Sequence, residues 1–371
     1  MKKTNLFLVA IIIVSLSISL ALLIKNRKIV KSENQLVIED FPNIVKHDYN
    51  CEPAKKKLNI ALQQNLIFGG DNNNPHTNFY RVLQVIPDQH GNIYVSQGGD
   101  ESSLKKYDSS GRYLATLAKH GMGPGEVSRY FQFSIDSIIT IVDKRKQVIE
   151  QLDLNGKFIR STRLDVAGID IWDFSIADHL LYLGYKNKKK LTNTILVYDQ
   201  TLKQLQSISM GKLFKEPTTP PERYYIYPSL EGKFFVNDRF IYYIAMGRYM
   251  IYRFSKDGNL NMLIRKRCDL TPDAYIDLKT VPGGMGYIYY YSPSMIKRID
   301  DYILVALYSK KKENGIGSVV DIFSPEGDFL GSLALKKQIL FTSIDHNFII
   351  YGTLFDENGI EKIVRYNLMI K

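Results

Sequence analysis

Apolar residues follow two patterns along this chain. Leu6–Ile24 is an apolar run of 19 residues broken only by Ser15, Ser17 and Ser19. As a helix it would be roughly 30 Å long, about the thickness of a bilayer's hydrocarbon core. From about residue 57 onward the pattern changes to short apolar stretches, rich in Val, Ile, Tyr and Phe, separated by Gly, Asp, Asn and Pro. That is the grammar of strands and tight turns. The second strand of each recurring unit centres near residues 94, 140, 182, 241, 303 and 349, so most units are 42 to 46 residues long and two are near 60. A period of this size is that of a propeller blade and too long for ankyrin or other short helical repeats.

The expected fold is therefore all-β: a six-bladed β-propeller of four-stranded blades over residues 57–371. The sixth unit runs out of chain after three strands. Leu58–Phe68, strand-like but with no place in the first blade, is expected to supply the missing outer strand and close the ring. Closure hides the two edges an open array would expose.

The clearest unit begins Gly121-Met122-Gly123-Pro124-Gly125-Glu126, continues through a strand pair to Val142-Asp143, and ends in a strand closed by Asp153-Leu154-Asn155-Gly156. This stretch resembles an NHL-type repeat, departing from it at Lys146, where Asn is usual, and at Val148, where Arg is usual. The Gly-rich turn also looks like that of six-bladed propellers from bacterial envelopes. The resemblance implies the propeller fold over 57–371; some NHL-type propellers bind RNA.

Residues 1–24 are expected to be a signal anchor or transmembrane helix, and 25–56, polar and without sustained periodicity, a juxtamembrane linker. The apolar run continues through Leu22-Leu23-Ile24 past the one small-x-small site, Ser19-Leu20-Ala21, which favours an uncleaved anchor over a cleaved signal. Lys2 and Lys3 read as the start of an export signal; four basic residues on the far side of the span pull the orientation the other way. The address expected is the cell envelope, anchored in the inner membrane with the propeller periplasmic. Cys51 and Cys268 form neither a metal motif nor a redox motif; in an oxidising compartment they would be free to pair, the alternative being two separate thiols.

Net charge is +11. Residues 1–32 hold six Lys/Arg and no acid, leaving +5 on the rest. The runs Lys186–Lys190 and Lys310–Lys312 read as solvated hairpin tips. No nucleic-acid partner is expected from this distribution.

Candidate chemistry is sparse. His47, His76, His90, His120, His179 and His346 are scattered without metal-ligand spacing, and there is neither a nucleophile elbow nor a phosphate loop. No metal and no cofactor is expected. Asp71-Asn72-Asn73-Asn74 lacks the acid spacing of a calcium loop and reads as a turn.

In a propeller the connections between blades share one face. Three conspicuous segments are such connections: His120–Tyr130, Lys212–Gly232 and Asp269–Ser294. The last two are insertions that account for the two long spacings. The segments are rich in Tyr and include Arg129 and Arg223, residue types that combine apolar area with hydrogen-bond donors. His120, Arg129, Arg223, Tyr224, Tyr225, Tyr227 and Tyr287 are the expected ligand-binding residues, facing a protein, peptide or glycan; packing of the tyrosines onto strand ends is the competing reading.

The reading that follows is a membrane-anchored, noncatalytic binding module. The alternative is a propeller enzyme, a hydrolase or lyase with Asp136, Asp143 and Asp300 at the channel mouth; an RNA-binding propeller ranks below it.

Overall fold

The computed structural model describes residues 45–50, 58–71, 74–164, 169–187, 192–209, 224–225, 229–246, 249–267, 275–276, 287–288, 292–313 and 316–371. The expected anchor, Cys51, Cys268, Arg223 and Tyr227 lie outside these residues. Among the described residues no helix is long and apolar enough to cross a membrane.

Two strands precede the first blade, β1 (Val45–Asn50) and β2 (Ile60–Phe68). The first blade is β3 (Val82–Pro87), β4 (Ile93–Gln97), β5 (Ser103–Tyr107) and β6 (Tyr113–Lys119); the second is β7 (Phe131–Ile135), β8 (Ile139–Asp143), β9 (Val148–Leu152) and β10 (Phe158–Arg163). The third is β11 (Ile169–Ala177), β12 (Leu180–Asn187), β13 (Thr192–Tyr198) and β14 (Gln204–Ser209). After β15 (Tyr224–Tyr225) comes the fourth blade: β16 (Ser229–Val236), β17 (Phe240–Met246), β18 (Met250–Ser255) and β19 (Leu260–Arg267). Then β20 (Tyr275–Ile276) and β21 (Tyr287–Ile288) lead to the fifth: β22 (Ser292–Ile299), β23 (Tyr302–Glu313), β24 (Ile316–Phe323) and β25 (Phe329–Leu335). The sixth is β26 (Ile339–Ile344), β27 (Ile349–Phe355), β28 (Glu361–Ile370) and, from the other end of the chain, β2.

The second strands are buried on both faces, every residue of β4 and β8 being buried, because each blade packs against a neighbour on either side. The outer strands are more open: no residue of β10 is buried. The apolar clusters lie at blade–blade contacts. Tyr94, Leu104, Phe131 and Ile141 join the first two blades, and Tyr242, Ile264, Val305 and Phe323 join the fourth to the fifth. At the third-to-fourth contact the lone Trp172 meets Phe234 and Tyr243 edge-on, with ring centroids 5.3 and 5.4 Å away.

The recurrent turn between third and outer strands shows why Asp-x-x-Gly repeats. Asp108 Oδ1 accepts from the N–H groups of Ser110 and Arg112, and Asp153 Oδ1 from those of Asn155 and Lys157. The fourth residue takes positive φ, +88° at Gly156, a region that glycine enters without a Cβ penalty. In the third blade this place is held by Leu202 at φ +65°; its side chain is buried in the cluster between the second and third blades.

Ring closure follows the expected route. β2 runs antiparallel to β28, Ile60 opposite Ile370 through Phe68 opposite Ile363. Asn59 and Lys371 exchange both backbone hydrogen bonds, at 2.7 and 2.9 Å. The sixth and first blades are tied by Val82 N–H donating to the buried Glu361 carboxylate at 2.8 Å. One strand was not expected. β1, within the segment read as a linker, adds in parallel to the outer strand of the fourth blade, Val45 opposite Met262 through Asn50 opposite Arg267.

Candidate ligand-binding surfaces

The Gly-rich turn at 121–126 is a latch built by the fold. Gly121 N–H donates to the Val127 carbonyl, Val127 N–H to the Lys119 carbonyl, and Gly123 N–H to Glu126 Oε2 at 2.7 Å. Lys146, entering from the second blade, donates to the carbonyls of Gly123 and Glu126 and pairs with Glu150, at 2.8, 2.9 and 2.8 Å. Asp143, fully buried, accepts from the N–H and hydroxyl of Ser128, both at 2.6 Å, and from the N–H groups of Arg145 and Lys146. Asp143 is thus consumed in holding the connection and is withdrawn from the channel, contrary to its candidacy as a catalytic acid. The other two candidate acids are exposed: Asp136 faces His179 at 3.9 Å, and Asp300 stands at a turn with φ +47°.

His120 and Arg129 sit on the interblade face, at the two ends of this latch. Ser102 makes two hydrogen bonds, to His120 Nδ1 at 2.6 Å and to the Val127 carbonyl at 3.2 Å. Ser102 is buried, so the Ser–His pair clamps two loops and offers no accessible nucleophile. The Arg129 guanidinium pairs with Asp100, and its carbonyl accepts from Gly99 N–H at 3.3 Å. Tyr80 and Arg81, outside the segments singled out in the sequence, join Tyr130 on this face. Arg81 lies over the ring of Tyr130, 4.7 Å from its centroid, beside Tyr80; the tyrosines are 46% and 73% exposed respectively. The available signal was positional: Tyr80-Arg81 and Arg129-Tyr130 stand at the same place, just before an inner strand.

The two long insertions meet in backbone register. β15, β20 and β21 form a three-stranded antiparallel sheet, with Tyr224 opposite Ile276, Tyr225 opposite Tyr275, and Ile276 opposite Tyr287. Of the expected binding residues this sheet unites Tyr224, Tyr225 and Tyr287.

A second surface lies in the channel, whose mouth the enzyme alternative invokes; of that alternative's three candidate acids Asp300 lines it. The inner strands of all six blades line a cavity of about 560 Å³ in the turn-side half of the channel, away from the interblade face. Inner strands have one unpaired backbone edge, and the chain satisfies it across the seams. Phe133 N–H donates to Gln84 Oε1 at 2.9 Å, Phe234 N–H to Asp173 Oδ2 at 3.0 Å, Val236 N–H to Ser175 Oγ at 3.2 Å, and Val85 N–H to Thr342 Oγ1 at 3.0 Å. Lys233 is neutralised by Asp173 at 3.3 Å. At the seam between the fourth and fifth blades the Lys297 ammonium lies over the Phe235 ring instead, 4.8 Å from the centroid. Burial pushes Lys297 down from the usual lysine range, with the Asp345 carboxylate pulling the other way. Among the described residues no group of three or more His, Cys, Asp or Glu is placed to hold a metal ion.

Two solved structures share the architecture. A Bacteroides fragilis protein named as exported aligns with a TM-score of 0.55 at 12% identity, over 88% of this chain and 99% of its own. A member of the duf4221 family from Bacteroides vulgatus aligns with a TM-score of 0.53 at 12% identity, over 85% and 99%. At that identity the likeness is one of fold. No curated protein matches the chain in sequence. The sequence pattern of the DUF5128 family, described as a 6-bladed beta-propeller, matches residues 81–277, more than half of the chain, and the blade count agrees: the chain belongs to that family.

Proposed function

We propose that this protein is a noncatalytic propeller of the cell envelope that holds a protein, peptide or glycan on its interblade face. The observation that carries the reading is the joining of two insertions, about 50 residues apart in sequence, through β15, β20 and β21. Long connections that organise one another, on a rigid scaffold, are where binding surfaces are placed. His120 and Arg129 belong to a connection on the same face, and the exposed Tyr80, Arg81 and Tyr130 add contact area of the same chemistry. Anchoring through residues 1–24 and a periplasmic propeller are part of this proposal. They are supported by the apolar run behind Lys2 and Lys3 and by the named export of the Bacteroides fragilis relative in fold. Kinship of the repeat at 121–158 with the NHL type is part of the same proposal; its departure at Lys146 serves the latch.

The test compares proteins and glycans crosslinked to the native membrane protein with those crosslinked to a variant carrying Arg223→Ala, Tyr224→Ala and Tyr225→Ala, after circular dichroism shows that the variant folds. A partner captured by the native form and lost from the variant supports the reading; identical capture by both removes the insertion from the site. A reporter fused at the C-terminus checks the orientation, and activity of a cytoplasmic reporter would overturn the periplasmic assignment.

A further inference from the structure

We propose that the channel cavity is a second binding site, distinct from the interblade face, for a small organic carboxylate: Lys297 takes the carboxylate, and the half-buried Ile86, Ile135, Ile176 and Phe235 take an apolar body.

The argument begins with charge. The cavity wall carries three cations, Lys233, Lys297 and Arg298. Asp173 neutralises Lys233, and Arg298 Nε donates to the carbonyl of Asp300 at 3.2 Å. Lys297 has neither arrangement: among the described residues no carboxylate lies within 4.0 Å of its ammonium and no hydrogen bond holds it. Lys297 is half-buried on the cavity wall, so its ammonium stands where a ligand's carboxylate can complete it. The facing Asp345 is partly engaged, since its Oδ1 accepts the N–H groups of Asn347 and Ile349 at 2.8 and 2.9 Å. The Phe235 ring steadies the cation through its π face without neutralising it.

The size and shape of the cavity then select the ligand class. About 560 Å³ lies within the range of small-molecule sites, and the wall sets Ile86, Ile135, Ile176 and Phe235 among polar and charged side chains. One compact ammonium offers a point charge and not the two-pronged fork that an arginine gives a phosphate. Asp300 and Asp345 on the same wall would repel a dianion. A monoanionic carboxylate with an apolar or aromatic body answers both conditions.

The experiment titrates the full-length protein, purified in detergent, with phenylacetate, its neutral amide phenylacetamide and inorganic phosphate, by calorimetry. Phenylacetate should bind, the amide about tenfold or more weakly, and Lys297→Met should lose the preference while Lys297→Arg keeps it. An independent reading acylates the native protein with N-acetoxysuccinimide and follows the Lys297 peptide by mass spectrometry; phenylacetate should slow that acylation, and phenylacetamide should not. This second measurement stands if the methionine variant fails to fold. Equal binding of acid and amide, no binding of phenylacetate, an unaltered preference in Lys297→Met, absence of protection, or tighter binding of phosphate than of phenylacetate would each overturn the proposal. None of these outcomes bears on the interblade face, whose residues are left intact.

Discussion

Lys146 and Glu150 form an ion pair 2.8 Å long with side chains only 5% and 3% exposed, and the same ammonium closes on the carbonyls of Gly123 and Glu126. A buried pair is costly to break because the remaining charge loses its solvation without compensation. Lys146→Met or Glu150→Leu should each destabilise the protein by about 3–5 kcal/mol, while the double variant carrying both should lose less than the sum. Urea unfolding of the three variants checks this; additive losses would show that the residues act separately.

The turn glycines separate backbone strain from collision. Gly359, at φ +76°, has nothing within 4 Å of where a Cβ would stand, whereas at Gly156, φ +88°, that atom would meet the Leu117 carbonyl oxygen at 2.7 Å. Gly359→Ala should cost about 1 kcal/mol, the strain alone, and Gly156→Ala a further ~1–3 kcal/mol for the collision. Equal midpoints in denaturant for the two variants would contradict this. Leu202 shows the fold tolerating the strain where a buried side chain compensates.

Acid should weaken the ring through its turn carboxylates. Hydrogen bonds, first from the Ser110 hydroxyl and then from Arg112 N–H, hold Asp108 at about 2, below the ordinary 3.8. Asp199 is lowered chiefly by the Thr201 hydroxyl, and Asp356 chiefly by Ile360 N–H. A carboxyl whose folded pKa lies below its unfolded value adds stability that is full above the unfolded value and is lost as pH falls through the folded one. Stability should therefore decline from just above pH 3.8 toward about pH 2. Asp108→Asn should flatten that decline, as read from urea midpoints between about pH 5 and pH 2; an unchanged slope would remove Asp108 from the cause.

Arg129 and Asp100 make an exposed pair, with side chains 49% and 79% accessible. Such pairs contribute little, so Arg129→Ala should shift stability by less than about 1 kcal/mol. Thermal melts of the variant check this. A larger loss would mean that the guanidinium holds the connection as well as facing solvent.

Much of the architecture was legible because a blade is a local object. The apolar stretches and the Asp-x-x-Gly turns recur within about 45 residues, and hydrogen bonds at Asp108 and Asp153 are made inside single turns. Leu58–Phe68 could be assigned to the sixth blade by counting strands. β1 could not: Val45–Asn50 is polar, and its pairing depends on the free edge of β19, more than 200 residues on. The channel was hidden for the same reason. Lys297 stands beside Arg298 in the inner strand Met-Ile-Lys-Arg-Ile and carries no signal in the sequence, because Phe235 and Asp345 reach it only through the ring. Lys146, which locks the Gly-rich turn, shows in the sequence only as a departure from the repeat pattern, because its carbonyl partners Gly123 and Glu126 lie 23 and 20 residues upstream.

The clasp between β2 and β28 also sets a timetable. Asn65 and Asn367, hydrogen-bonded side chain to side chain, are 302 positions apart. During synthesis β2 has no partner until the last blade is made, and an unpaired strand is a template for wrong pairing. Contacts of such separation also slow folding, since the loop must close before the pairing rewards it. Pairing of residues 361–370 with the waiting strand should therefore be a late and slow step of folding, and the interval before it the one most exposed to wrong pairing.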